Sequence, residues 1–67
     1  MKRTQVKIRF NGATIDYYFE KSLEDFMPIW NNQMAGQGYF TGVDAEGIFV
    51  NINPTCCPIV EITEIDW

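Results

Sequence analysis

The stretch from Tyr39 to Ile65 constrains the fold most, because its apolar residues alternate with polar ones between clear turn signals. An alternation of period two is typical of β-strands with one buried face. Residues 39–43 and 48–52 flank Asp44-Ala45-Glu46-Gly47, a four-residue turn in which glycine adopts a positive φ at little cost. A corner bounded by two prolines follows at residues 53–58, and a last strand at 59–65. The last third is therefore predicted to form a hairpin, a corner and a strand.

A pairing of Val43 with Ile48 determines which hairpin residues share a face. Phe49 then lies opposite Gly42, and an aromatic ring beside a strand glycine is a stabilising arrangement. Phe40 has no such structural reason for its position, so it suggests a contact surface. The pairing predicts one core face, made of Tyr39, Thr41, Val43, Ile48, Val50 and Ile52, and an opposite face made of Phe40, Gly42, Phe49 and Asn51.

The first half of the chain predicts a second hairpin and a helix. Residues 4–20 alternate around Asn11-Gly12, the strongest short hairpin signal because both turn positions need a positive φ. Ser22 is a natural N-cap and Gly36 a C-terminal stop. Pro28 favours either a helix start near Asp25 or a kink. The helix is predicted from an apolar stripe made of Leu23, Phe26, Met27, Trp30 and Met34.

These elements predict a single small α+β domain over residues 1–67 with the order ββαβββ. One helix, at about residues 22–35, is expected to pack on a mostly antiparallel five-stranded sheet that can curl toward a small barrel. The C-terminal strand, corner and strand are similar in arrangement to those of SH3-like and Sm-like small barrels. The similarity is architectural, and no motif identifies either family.

Charge is unevenly distributed along the chain. Four of the five basic residues are Lys2, Arg3, Lys7 and Arg9, whereas acidic residues concentrate toward the C-terminal end. This segregation predicts that the first and last strands lie side by side; a functional basic patch is the other interpretation. A net charge of −4 argues against a nucleic-acid partner. The absence of a signal peptide or an apolar run long enough to span a membrane favours the cytoplasm and no membrane partner.

The residue types present give little support for catalysis. The chain has no histidine and one serine, so it offers no nucleophile with an adjacent base. The adjacent Cys56 and Cys57 cannot complete a zinc site alone, and they are interpreted as small buried hydrophobes in preference to a redox switch or half of a shared metal site. We therefore predict no enzyme activity, no catalytic or metal-binding residue and no cofactor.

The sequence best fits a small protein-interaction module, a type that often serves as an accessory factor in bacteria or phage. It is expected to self-associate as a homodimer or higher oligomer, or to bind another protein, through an apolar sheet face. The predicted interaction surface consists of Phe40, Phe49, Tyr18 and Asn51. The alternative is a protein that binds or sequesters a nucleotide-like ligand at a subunit boundary, with contacts from Arg3, Lys7, Arg9 and Tyr39.

Overall fold

The computed structural model describes residues 1–54 and 59–66, in which one helix and five strands follow the predicted order ββαβββ. The predicted roles of Cys56 and Cys57, and most of the predicted corner, lie outside the described residues. No helix of the described part of the chain is long and apolar enough to cross a membrane. The elements are β1 (Lys2–Phe10), β2 (Ala13–Phe19), α1 (Leu23–Gly36), β3 (Phe40–Val43), β4 (Phe49–Ile52) and β5 (Ile59–Asp66).

The strands form two antiparallel sheets, so the prediction of one five-stranded sheet is wrong. One sheet has the order β2-β1-β5 and the other contains β3 and β4. Within residues 1–54 and 59–66, one backbone hydrogen bond joins the two sheets, from Ala45 N–H to the Tyr18 carbonyl at 2.6 Å. The strands therefore do not close into a barrel. Local alternation identifies strands but does not specify which strand edges pair across the fold.

β1 and β5 lie side by side, as the segregated charges predict. Their antiparallel register runs from Lys2 opposite Asp66 to Arg9 opposite Ile59. Arg9 Nε lies 2.9 Å from Glu61 Oε1, and both side chains are about half exposed. Opposite charges on neighbouring strands thus account for the basic N-terminal segment without a basic binding patch.

The helix begins at Leu23, where the Ser22 hydroxyl accepts a hydrogen bond from Asp25 N–H at 3.2 Å, and this confirms the predicted N-cap. Pro28 lies inside the helix. The helix does not start near Asp25, so one main-chain hydrogen bond is missing at Pro28. Gly36 is the last helical residue. The first residue after the helix with a positive φ is Gly38, at +84°. The left-handed position therefore comes two residues later than predicted.

The core is an aromatic cluster centred on Phe40 of β3. Its ring centroid lies 5.4 Å from that of Phe19, 5.3 Å from that of Phe26 and 5.3 Å from that of Trp30. Aromatic pairs at these distances stabilise a core beyond the area they bury. One ring of β3 thus ties β2 and α1 to the second sheet. The buried apolar residues are Val6, Ile8, Phe19, Phe26, Trp30, Phe40, Val50 and Ile52.

Candidate functional site

The β3–β4 hairpin has a register one residue away from the predicted one. Val43 pairs with Phe49, not with Ile48, and Gly42 pairs with Val50. The shift arises in the turn, where Asp44 Oδ1 accepts hydrogen bonds from the backbone N–H groups of Glu46 and Ile48, both at 2.9 Å. Because an aspartate side chain that bonds the backbone ahead of it stabilises a longer loop, the connection extends to residue 48.

This shift turns β3 over relative to β4, because side chains alternate along a strand, whereas the two faces of β4 stay as predicted. Phe40 is 2% exposed and belongs to the core, so its placement on the predicted interaction surface is wrong. Phe49 is 67% exposed and shares its face of β4 with the exposed Asn51. The prediction missed Val43, which is 61% exposed opposite Phe49. Asp44 followed by Gly47 was the local signal that could have identified the longer loop.

Gly42 is covered by an aromatic ring, but the ring belongs to Phe40 on the same strand. A Cβ on Gly42 would lie 2.9 Å from Phe40 Cζ. The predicted cover by Phe49 is therefore wrong. Phe49 has no such role and remains a solvent-exposed ring on the outer face of the hairpin.

We call this outer face the hairpin patch, made of Thr41, Val43, Phe49 and Asn51. Thr41 directs its N–H and C=O away from β4, because both bond to the side chain of Gln33. Val43 and Phe49 are therefore a non-hydrogen-bonded pair, in which opposite side chains approach most closely. Two large apolar side chains thus stand side by side in solvent. Neither β3 nor β4 carries a charged residue.

The edge of β3 is closed by the helix. Gln33 Nε2 donates to the Thr41 carbonyl at 2.9 Å, and Gln33 Oε1 accepts from Thr41 N–H at 2.8 Å. The side-chain amide therefore pairs with the β3 backbone as a neighbouring strand would. Gln33 is half-buried, and its side chain has this structural role at the strand edge.

Two other strand edges remain open and lie beside each other. The Tyr18 carbonyl points away from β1 to accept from Ala45, so by alternation Thr14 and Asp16 also point their backbone groups away from β1. Phe49 and Asn51 point theirs away from β3 in the same way. Within residues 1–54 and 59–66, no hydrogen bond joins β2 to β4. We call the space between these two edges the inter-sheet cleft.

The inter-sheet cleft has two chemically different cavities. One, of about 260 Å³, has mostly apolar walls that include Phe10 and Ile15, which are 45% and 49% exposed. The other, of about 370 Å³, lies between β2 and the β3–β4 turn. The apolar cavity includes Ile8, Phe10, Ile15, Tyr17, Asn51 and Ile52, and the second includes Arg3, Asp16, Tyr18, Asp44, Glu46 and Ile48.

Tyr18, predicted as part of the interaction surface, is half-buried on β2 and belongs to the wall of the inter-sheet cleft. Tyr18 does not lie on the hairpin patch, because that patch consists of β3 and β4 residues. The structure therefore separates the four predicted surface residues. Phe49 and Asn51 remain together, Tyr18 lies on the other sheet, and Phe40 is in the core.

The predicted ligand contacts do not converge on one site. Arg3 Nη2 lies 3.1 Å from Glu20 Oε1, and Arg9 pairs with Glu61. Lys7 stands between Asp16 on β2 and Glu61 on β5 in the sheet register. Tyr39 precedes β3 in the other sheet, and the cavity beside Arg3 includes none of the other three predicted contacts.

Comparisons of the chain with protein-family models, with curated proteins and with solved structures find no match.

Proposed function

We propose that this chain is a small, non-catalytic protein-interaction module that self-associates through the hairpin patch. One observation carries the proposal: Val43 and Phe49 form a cross-strand pair that is 61% and 67% exposed. Side chains of this size, exposed together, are typical of interaction sites. Phenylalanine is also enriched at protein interfaces.

For a second copy of the chain as the partner, the charge distribution favours the hairpin patch as the point of contact. The chain carries a net charge of −4, so two copies repel each other over most approaches. The hairpin strands FTGV and FVNI are uncharged, so repulsion is weakest where two hairpin patches meet face to face. A two-fold axis through this contact would place Phe49 of one copy against Val43 or Phe49 of the other.

The proposed dimer forms from folded monomers. The accessible surface of the chain is 4386 Å², and the scaling for folded monomers gives roughly 4,400 Å² at this mass. The monomer thus buries the usual amount of surface without a partner. A face of four residues is smaller than the roughly 800 Å² per partner of a stable complex, so we expect a weak dimer in the micromolar to millimolar range.

Sedimentation velocity over a concentration series from about 10 μM to about 1 mM tests this proposal. We expect the weight-average sedimentation coefficient to rise with concentration in the unmodified chain and to stay at the monomer value in Phe49→Asp. Ile59→Asp is the matched control, because Ile59 is 50% exposed but lies on the other sheet.

Circular dichroism establishes that each variant remains folded. Val43→Lys provides a second charged substitution in the hairpin patch. A monomer at every concentration would contradict self-association. A dimer that survives Phe49→Asp and Val43→Lys but is lost in Ile59→Asp would place the interface on the three-stranded sheet instead.

A further inference from the structure

The two open strand edges of the inter-sheet cleft constitute a binding site distinct from the hairpin patch. We propose that the cleft accepts an extended segment of a partner protein in which apolar and basic side chains alternate. The inserted segment would pair with β2 on one side and with β4 on the other.

The backbone groups in the cleft match an extended chain. Thr14 and Asp16 on β2, and Phe49 and Asn51 on β4, direct N–H and C=O groups into it. These groups form no hydrogen bond within residues 1–54 and 59–66. An added strand satisfies such edges with main-chain hydrogen bonds and uses side-chain pockets for specificity.

The alternation of apolar and basic side chains in the proposed partner segment follows from the cavities on the two sides of the β2–β1–β5 sheet. The wall of the apolar cavity is formed by Ile8, Phe10 and Ile15, which share the face that packs toward the helix. The second cavity includes Asp16, Asp44 and Glu46, beside a single arginine that is already paired with Glu20. Successive side chains of an inserted strand point to opposite faces, so one set meets apolar walls and the other meets carboxylates.

The other exposed edge of this sheet is less suited to such a segment. β5 carries Glu61, Glu64 and Asp66, and charged side chains on an edge strand hinder pairing with another chain. Within the two edges of the cleft, β4 carries no charge and β2 carries one acidic side chain. The cleft also offers two edges to one segment, which doubles the number of main-chain partners.

A peptide of alternating valine and lysine tests the proposal. Six residues span about 20 Å as a strand. The probe is the blocked hexapeptide VKVKVK, titrated into the ¹⁵N-labelled chain, and the matched control is VEVEVE. We expect saturable binding of VKVKVK and at least ten-fold weaker binding of VEVEVE.

Residue-resolved amide exchange identifies which edge is used. Occupancy of the cleft would slow exchange at Thr14, Asp16, Phe49 and Asn51, and would leave Val50 unchanged because its N–H faces β3. Face-to-face dimerisation through the hairpin patch covers side chains and not strand edges, so it would not give this alternating pattern. The peptide-binding proposal can therefore fail while the self-association proposal holds, and the reverse.

Asp16→Asn should weaken VKVKVK binding roughly two- to five-fold, the range of one partly exposed ion pair. Glu24→Gln, on the exposed start of the helix, should leave binding unchanged. Three results would overturn the proposal: no binding of VKVKVK at millimolar concentration, equal binding of VEVEVE, or slowed exchange confined to the β5 amides of Val60, Ile62 and Glu64.

Discussion

The ring of Phe40 lies against the backbone of Gly42, two residues along the same strand, so closely that a Cβ on Gly42 would be 2.9 Å from Phe40 Cζ. Phe40 cannot move away freely, because it contacts three other aromatic rings. We therefore expect Gly42→Ala to lower the free energy of unfolding by about 1–3 kcal/mol. Urea denaturation monitored by tryptophan fluorescence measures this change.

Gly36→Ala is the control for this substitution. Gly36 is the last residue of the helix and has no positive φ, and within the described part of the chain a Cβ at this position would meet no atom of a neighbouring element within 4 Å. Alanine is favoured over glycine in a helix by up to about 1 kcal/mol, so this variant should be as stable as the unmodified chain or more stable. Equal destabilisation by the two substitutions would contradict the close packing at Gly42.

The same substitution should destabilise the fold at Phe40 and have little effect at Phe49. Phe40→Leu removes ring contacts with Phe19, Phe26 and Trp30, and we expect it to cost about 1–3 kcal/mol of unfolding free energy. Phe49→Leu should change stability by less than about 0.5 kcal/mol, because the ring is 67% exposed. Denaturation at a concentration where sedimentation velocity finds only monomer provides the comparison. A similar loss at both positions would contradict the register of the hairpin.

Gln33→Met tests the role of the side-chain amide that closes the β3 edge. Methionine has a similar length but cannot pair with the N–H and C=O of Thr41. Leaving part-buried backbone groups without partners costs about 1–3 kcal/mol, and hydrogen exchange at the Thr41 amide should become faster.

Gln37→Met is the matched variant, because the hydrogen bonds of Gln37 to Gln33 and to the Tyr39 carbonyl are exposed. Its cost should stay below about 0.5 kcal/mol. If Thr41 exchange were equally fast in both variants, the pairing of Gln33 with the strand would not be what protects it.

The Arg9–Glu61 ion pair should contribute little to stability despite its 2.9 Å separation, because both side chains are about half exposed. A double-mutant cycle with Arg9→Gln and Glu61→Gln should give a coupling free energy of about 0.2–1 kcal/mol. The coupling should fall further in about 1 M salt, where charges are screened within about 3 Å. A salt-independent coupling of several kcal/mol would indicate that the pair is buried in solution, for example in an interface.

Sequence patterns predicted the features of this fold that depend on neighbouring residues. Asn11 and Gly12 have φ angles of 49° and 80°, as the two-residue hairpin turn requires, and Ser22 caps the helix. The proximity of β1 and β5 was also predictable, since the opposite charges on these strands indicate it.

The candidate sites were harder to predict, because each depends on an interaction that alternation does not encode. The hydrogen bonds of the Asp44 side chain lengthen the turn by one residue, which moves Phe40 into the core and Val43 into solvent. The separation of β2 from β4 depends on how the two sheets pack. Alternation within either strand is the same whether or not the edges meet.

β1 is the middle strand of its sheet, yet its two neighbours reach it at very different times during synthesis. β2 follows after a two-residue turn, whereas β5 pairs Lys2 with Asp66 across nearly the whole chain. Contacts between residues so far apart in sequence slow folding, because a long loop must close before they form. A ribosome that has not yet released residues 59–66 therefore holds a chain whose central strand has one neighbour, and we expect the domain to complete its folding only after that last strand has emerged.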